Sequence, residues 1–292
     1  MSPLRFFYAF TIFAAFAASS EGKDAWTIYT NTDVVRAIVF EGNHVWCATE
    51  GGVLRWDKTD GAYEKFTTLN GMGGNCAYSA AVDRDGVKWF GTWDGGVSWF
   101  DGKTWNHYSY ETGNGIQAIA VDSGNVKWFY NDGALTRYDG TTWKSISLGY
   151  GSYMPYQSIA VDSHNVKWFT CGGIIRSYDD AAMKTYTTSD GLCNASAQAI
   201  AIDRDDVKWI GTKKGVSRFD GSTWKTFTKT NGLADNCVNS IAVDEHNVKW
   251  FATAAGVSRF DGVSWKTYTT ADGLADDNVI FATCDGSGSM WF

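Results

Sequence analysis

Proline is almost absent from this chain, which has 2 prolines against 32 glycines in 292 residues. No segment carries apolar residues at the 3.6-residue spacing of an amphipathic helix, which argues against a helical protein. Glycine-rich, proline-poor chains with many aromatic residues, here 16%, are typical of short strands joined by tight turns. The composition therefore predicts an all-β protein with a large core.

A surplus of basic residues is absent too, because 25 Lys and Arg stand against 32 Asp and Glu, a net charge of −7. We therefore predict no nucleic-acid partner. Nucleotide fingerprints, phosphate-binding loops and the HExxH and GxSxG motifs are missing. His44, His164 and His246 fall in predicted turns and His107 in an outer strand, away from clustered acids. These observations predict no catalytic residue, no metal site and no cofactor.

Long apolar runs are confined to the N-terminus, where residues 6–18 carry no charge and follow Arg5. The small residues Ala18, Ser19 and Ser20 come next, which is the layout of a secretory signal peptide. The run is short for a membrane span, although an uncleaved anchor is the alternative. We predict a signal peptide over 1–20 and one domain over 21–292. The mature chain would be secreted or periplasmic, with no membrane insertion after cleavage.

Cysteine spacing gives no disulfide framework, although an even count of six in an exported chain permits bonds. The cysteines fall at scattered points of the chain and none forms a CxxC motif. Cys47 and Cys284 stand where related segments carry Ile, Phe or Val, as small buried side chains would. If any pair is bonded, we expect Cys193 with Cys237.

An internal repeat dominates what is present. The tetrapeptide Val-Lys-Trp-Phe ends at residues 90, 129, 169 and 251, with weaker copies elsewhere. Its tryptophans are spaced by 43, 39, 40, 41, 41 and 41 residues. They are Trp46, Trp89, Trp128, Trp168, Trp209, Trp250 and Trp291. Each period holds four short strands, and an Asp-Gly pair such as Asp261-Gly262 predicts the hairpin that leads to the next period. Four strands in 40 to 45 residues is the size of a propeller blade.

The strand count predicts a seven-bladed β-propeller of four-stranded blades whose last blade is incomplete, with 27 of 28 strands. A strand around Trp26 would join the last blade, but its usual neighbour is missing. Either that blade has three strands, or the sequence is a piece of a longer chain. An Asp and a Lys recur on either side of the turn between the first two strands. We predict a weak structural contact between them across that turn.

A family resemblance rests on the motif Val-Lys-Trp-Ile-Gly-Thr at 207–212, followed by Gly-Val-Ser-Arg-Phe-Asp-Gly at 215–221 and Asn-Gly-Leu at 231–233. The motif resembles the two-component regulator propeller repeat, and the resemblance covers residues 25–292. It implies an exported or periplasmic sensor domain, of a kind that often precedes a histidine kinase and often recognises carbohydrates. Because residues 25–292 carry no linker or kinase, only ligand sensing is carried over.

A binding site is expected where the repeats differ, on the face formed by the loops entering the inner strands and those joining the second and third strands. Blades two to four are irregular there. Aromatic side chains beside carboxylates can stack on sugar rings and bond their hydroxyls. We predict a glycan or small polar ligand, not an enzyme; alternatives are a protein-interaction scaffold and, less favoured, a propeller lyase or hydrolase. The candidate ligand-binding residues are Trp93, Asp94, Tyr130, Asp132, Tyr150, Tyr153, Tyr156 and Lys213.

Overall fold

A computed structural model describes the backbone of residues 11–18 and 24–31, and backbone and side chains of 34–109, 115–131, 133–149 and 157–292. Within these ranges the regular secondary structure is almost entirely β-strand. The strands are β1 (Thr11–Ala18), β2 (Asp24–Asn31), β3 (Val35–Glu41), β4 (His44–Thr49), β5 (Gly52–Asp57), β6 (Tyr63–Phe66), β7 (Ala77–Val82), β8 (Lys88–Thr92), β9 (Gly96–Phe100), β10 (Trp105–Tyr108), β11 (Ile116–Val121), β12 (Lys127–Asn131), β13 (Ala134–Tyr138), β14 (Trp143–Ser147), β15 (Ile159–Val161), β16 (Lys167–Cys171), β17 (Ile174–Tyr178), β18 (Met183–Tyr186), β19 (Ala199–Ile202), β20 (Lys208–Thr212), β21 (Gly215–Phe219), β22 (Trp224–Phe227), β23 (Val238–Val243), β24 (Lys249–Thr253), β25 (Gly256–Phe260), β26 (Trp265–Tyr268), β27 (Thr283–Cys284) and β28 (Met290–Trp291). Three short 3₁₀ helices span Thr68–Asn70, Lys229–Asn231 and Thr270–Asp272.

Six antiparallel sheets each take four consecutive strands, from β3–β6 to β23–β26. We number them blades one to six, with the inner strand first. The predicted propeller of four-stranded blades is confirmed, but six blades, not seven, form from consecutive strands. The remaining sheet has the order β2-β1-β28-β27 and draws on both ends of the chain. Its strand β1 occupies the place that the sequence count left empty, and it lies within the predicted signal peptide.

The second strand of a blade is buried on both sides, because each blade is packed between two others. All five residues are buried in β8, β12, β16, β20 and β24. The tryptophans fill the space between blades: Trp209 lies 5.9 Å from both Phe251 and Phe260 of the next blade, ring centre to ring centre. Large flat rings suit this wedge because they bury much apolar area in a thin layer.

The recurring Asp and Lys do not form the contact predicted across their own turn. Each Asp accepts a hydrogen bond from the indole of its own blade, as Asp83 does from Trp89 Nε1 at 2.9 Å. In three blades the Lys instead reaches the recurring Asp of the preceding blade and forms a buried ion pair. These inter-blade ion pairs join Lys127 to Asp83 at 2.8 Å, Lys208 to Asp162 at 3.1 Å and Lys249 to Asp203 at 3.0 Å. By contrast, Lys88 bonds to Glu41 of the preceding blade, and Lys167 bonds to Asp180 of its own blade.

A second set of contacts between blades comes from the turn after the inner strand. Asn125 and Asn247 adopt left-handed backbone with φ of 60° and 64°, a conformation that Asn tolerates better than most residues. The Asn125 side chain then accepts a hydrogen bond from the Arg84 amide of the preceding blade at 3.0 Å and donates one to Asp85 at 2.8 Å. The same residue that makes the turn therefore holds two blades in register.

The predicted Asp-Gly hairpins are confirmed at the outer turns. Gly221 has φ of 96°, and a side chain there would meet open space. Glycine is therefore favoured by the backbone conformation and not by a lack of room. Asp220 accepts hydrogen bonds from the amides of Ser222 and Thr223 at 3.1 and 2.8 Å, which closes the turn. No helix in the described ranges has the length and apolar character needed to cross a bilayer.

Candidate functional site

The predicted loop face exists, because loops entering inner strands contact loops joining second and third strands. Within blade two, the Trp93 amide donates to Cys76 O at 2.8 Å. Between blades five and six, the Gly215 amide donates to Asn236 O at 2.7 Å. We call this the loop face. It surrounds the upper end of an axial cavity of about 250 Å³ that is lined by the inner strands.

A ring of polar side chains lies where the inner strands begin. Bulges set them there: the pairing of the inner strand with its neighbour slips by one residue at Arg36, Tyr78, Gln117 and Asn239. A bulged residue leaves the ladder, so its side chain can turn towards the axis. In this position the cavity is lined by Arg36, Tyr78, Gln117, Gln157, Gln198 and Asn239.

Two amides of this ring bond to the backbone of the repeat that follows. Gln198 Nε2 donates to Val238 O at 2.9 Å, and Asn239 Nδ2 donates to Val279 O at 2.8 Å. Below the ring the lining becomes small or apolar, with Ile119 among the residues facing the cavity. The cavity thus has a polar entrance above an apolar interior. None of the described lining residues is His, Asp or Glu, so this part of the chain supplies no acid–base pair to the cavity.

The partly exposed Trp93 side chain lies beside the polar ring. Its side chain is 40% exposed, and its ring centre lies 5.7 Å from that of Tyr78. Gly115 lies against the indole so closely that a Cβ there would stand 2.7 Å from Trp93 Cε3. The Arg36 guanidinium lies 5.1 Å from the Tyr78 ring and is bonded to Glu50. An exposed indole therefore lies next to a residue of the cavity entrance.

The neighbouring thiol is not an activated nucleophile. Burial raises the pKa of Cys76, and the carboxylates of Glu50 and Asp94 raise it further. The Cys76 amide donates to Asp94 Oδ1 at 3.4 Å. A protonated thiol and an adjacent carboxylate are suited to hydrogen bonding rather than to covalent chemistry.

The predicted site residues have different outcomes. Trp93 and Asp94 are exposed on the loop face, and Lys213 is exposed in the corresponding loop of blade five. Tyr130 requires correction, since its side chain is fully buried and its ring packs 5.6 Å from Phe169 of blade four. A ring without exposed surface cannot stack on a ligand from solvent. The remaining four candidates, Asp132, Tyr150, Tyr153 and Tyr156, lie outside the described residues.

The polar ring was missed at the sequence level, although it leaves a trace. Inner strands consist of small and apolar residues, but a long polar residue stands at or just before their start in blades one to six: Arg36, Tyr78, Gln117, Gln157, Gln198 and Asn239. A single long polar residue at a fixed place in otherwise apolar strands indicates a side chain directed into a shared cavity. The differing residue types conceal the pattern, because no one residue type stands at this place in every repeat.

One group of metal-type ligands lies on the opposite face. Asp162, His164 and Asp206 have ligand atoms within 4.8 Å of one another. The Lys208 ammonium already lies 3.1 Å from Asp162 and 2.9 Å from Asp206. A metal ion would have to displace that cation, and Asp162 also accepts the Trp168 indole N–H at 2.8 Å. These contacts favour a structural role for the group.

All six cysteines are free, including the pair singled out from the sequence. Cys193 Sγ lies 3.3 Å from Thr212 Oγ1, whereas Cys237 Sγ lies 3.7 Å from Asn239 Oδ1. Burial raises the pKa of Cys47 to about 12, which agrees with its expected place in the core. The two thiols near the loop face therefore contact polar neighbours rather than each other.

Solved structures share this fold. The extracellular domain of a hybrid two-component system protein from B. thetaiotaomicron has a TM-score of 0.75 and 19% identity over 89% of this chain, which spans only 39% of that protein's chain. Virginiamycin B lyase from Staphylococcus aureus, solved with quinupristin, has a TM-score of 0.72 and 14% identity, with 97% and 98% of the two chains covered. The WD40 β-propeller domain of Doa1 has a TM-score of 0.69 and 14% identity over 88% of each chain.

These likenesses establish a β-propeller and nothing finer. No protein-family model matches the chain, and no curated protein matches it in sequence. The neighbours comprise an extracellular sensor-protein domain, a lyase and a WD40 domain, so one fold carries three kinds of activity. The resemblance to the two-component regulator propeller repeat therefore stays a prediction, while its propeller fold is confirmed.

Proposed function

We propose that this chain is an exported binding or sensing propeller that takes a glycan or other small polar ligand at the loop face of blades two to four. The observation that carries the proposal is the exposed Trp93 indole, which lies next to the Tyr78 ring at the entrance of a polar-rimmed cavity. An exposed aromatic face next to hydrogen-bonding groups suits a sugar ring, which has apolar C–H faces and polar edges. The extracellular neighbour supports export.

We further propose that the mixed sheet closes the ring as a seventh blade. Two contacts support this. Trp291 lies 5.5 Å from Phe40 of blade one, ring centre to ring centre. Lys58 Nζ lies 3.4 Å from Asp285 Oδ2, although blade one carries Val45 where other blades have the pairing lysine. A lysine from another position thus bonds the preceding Asp, as the inter-blade ion pairs do elsewhere.

Replacing Trp93 with Ala is expected to weaken ligand binding by about tenfold or more, which corresponds to ~1.4 kcal/mol. Stacking on the indole would be lost, while stability should change little because the side chain is partly exposed. A glycan array identifies the ligand, and isothermal titration of wild type and variant measures the affinity.

The matched control is Tyr63→Ala, which removes another exposed aromatic ring, on the outer strand of blade one. It should leave the affinity unchanged. A Trp93→Ala, Tyr153→Ala double variant that kept full affinity would contradict the site. A wild-type protein that bound no glycan on the array but captured a defined protein partner would favour the scaffold alternative.

A further inference from the structure

Two neighbouring amides of the polar ring have hydrogen-bonding atoms that the described residues do not use. Gln117 Oε1 and Gln157 Nε2 are both buried, and neither has a hydrogen-bond partner in the described ranges. Both side chains line the axial cavity, one on blade three and the other on blade four. A buried polar atom without a partner costs about 1–3 kcal/mol, so such atoms call for an explanation.

The orientation of Gln157 is set by a contact within its own blade. Thr170 Oγ1 donates to Gln157 Oε1 at 3.0 Å, and the same Thr170 oxygen accepts the Ser158 amide at 2.9 Å. Because its oxygen is held in this way, the amide presents its NH₂ group on the other side. In blades five and six the corresponding NH₂ groups donate to the backbone of the repeat that follows, so the blade-four amide departs from the scaffold pattern.

The two atoms have complementary roles. Gln117 Oε1 can only accept a hydrogen bond, whereas Gln157 Nε2 can only donate one. A carboxylate only accepts hydrogen bonds, so its lone pairs would be repelled by Gln117 Oε1. An ammonium group only donates them, so it would be repelled by the Gln157 NH₂ group. A hydroxyl or a secondary amide satisfies both, because each donates and accepts through atoms that lie close together.

The cavity also limits charge and size. Arg36 is the one ionised side chain in the described lining, and Glu50 is its salt-bridge partner. The volume of about 250 Å³ is at the low end for ligand sites, so it suits one sugar unit or a molecule of that size. Below the amides, Ile119 and Ile159 offer an apolar surface to the rest of the inserted group.

We infer that the axial cavity is a subsite for a neutral end group bearing a hydroxyl or secondary amide, which donates to Gln117 Oε1 and accepts from Gln157 Nε2. This inference rests on the proposed function and assigns an orientation to the loop-face ligand. The outer part of the ligand stacks on Trp93, and its neutral terminal unit enters the cavity. The two glutamines then determine specificity for uncharged over ionised ends.

A panel of three single sugars tests the inference by ligand-observed NMR titration: N-acetyl-D-glucosamine, D-glucosamine with its ammonium group, and D-glucuronate with its carboxylate. Wild type is expected to bind N-acetyl-D-glucosamine at least tenfold more tightly than either ionised sugar. Gln117→Leu and Gln157→Leu should each weaken that binding about fivefold to tenfold, since each loses one hydrogen bond. Gln117→Glu should shift the preference towards D-glucosamine.

The control is Gln198→Leu, which removes a ring amide already bonded to Val238 O. It should lower the thermal midpoint more than Gln117→Leu does, but reduce binding less. Equal binding of N-acetyl-D-glucosamine by wild type and both glutamine variants would overturn the cavity subsite and leave the proposed function standing. Tighter binding of an ionised sugar by wild type would also overturn it. Failure of wild type to bind any sugar of the panel or the glycan array would overturn both proposals.

Discussion

Replacing Lys127 with Met is expected to lower the free energy of unfolding by about 3–5 kcal/mol, because it leaves the charge of Asp83 buried without its cation. The Asp83 side chain is 1% exposed, and its partner Lys127 belongs to the next blade. The variant keeps the length and apolar stem of lysine, so the lost charge is the main change. Equilibrium denaturation in urea at pH 7 measures the difference.

Lys167→Met is the matched control for this prediction. Lys167 holds the same position one blade later and also lies over a tryptophan, but its partner Asp180 is 55% exposed. Water can solvate that carboxylate once the lysine is gone, so we expect a cost below about 1 kcal/mol. The double variant Lys127→Met, Asp83→Asn should recover part of the lost stability. Similar losses at both lysines would show that the buried carboxylate is not the cause.

The sequence was sufficient for the features that depend on local chemistry. Asp220-Gly221 forms the predicted hairpin because the turn needs left-handed backbone and an Asp that accepts its own loop amides. The spacing of the tryptophans gave the four-stranded blade, since both faces of every blade must be covered by flat apolar side chains. These inferences need only neighbours along the chain and the size of a repeat.

Contacts between blades could not be assigned in the same way. The nearest Asp that precedes Lys127 along the chain is Asp122 of its own turn, yet Lys127 bonds to Asp83, 44 positions earlier. Tyr130 follows Phe129 at the end of a strand and was expected at the surface. Its burial results from the adjoining blade four, whose Phe169 covers the ring. In both cases a residue one repeat away decides the environment, and strand alternation does not identify which neighbour it faces.

In the candidate site, too, local features could be predicted from the sequence and features that depend on the assembled fold could not. The loop face and the exposed Trp93 followed from irregular loops, which the sequence displays directly. The polar ring depends on bulges, as at Gln117 and Asn239, which redirect one residue without changing the apolar pattern around it. The position of β1 was missed because a run of apolar residues fits a signal peptide and a blade strand equally well.

Acidification should unfold the propeller through its buried carboxylates, and this is the second large effect we expect. Burial alone would raise the pKa of Asp203, but the Trp209 indole, the Lys249 ammonium and the Val207 amide bond to the carboxylate and hold its pKa below the ordinary value. The pKa of Asp83 is lowered in the same way, by hydrogen bonds from Lys127, Trp89 and the Val87 amide. Both carboxylates therefore stay charged in the folded protein at pH values where the unfolded chain already binds protons.

The sign follows from the lowered pKa values. The unfolded chain binds protons first, near the ordinary Asp pKa of about 3.9, while the folded protein resists protonation. Stability from these groups is therefore fully present above that pH, and it is lost as the pH falls towards the folded-state pKa. Urea denaturation at intervals from pH 7 to pH 2.5 should give a flat profile down to about pH 4.5 and a steep fall below about pH 4.

Asp203→Asn and Asp220→Asn distinguish the buried pairs from exposed turn carboxylates. The pKa of Asp220 is also lowered, by Thr223, Arg218 and the Ser222 amide, but this group is exposed at an outer turn. Raising NaCl from about 0.1 M to 1 M shortens the screening length from about 10 to 3 Å, which weakens exposed charges more than buried ones. The difference in acid sensitivity between wild type and Asp203→Asn should therefore persist in 1 M salt, whereas that for the exposed Asp220→Asn should be small at either salt concentration. If salt abolished the difference for Asp203→Asn, surface charge rather than the inter-blade ion pairs would set the acid limit of the fold.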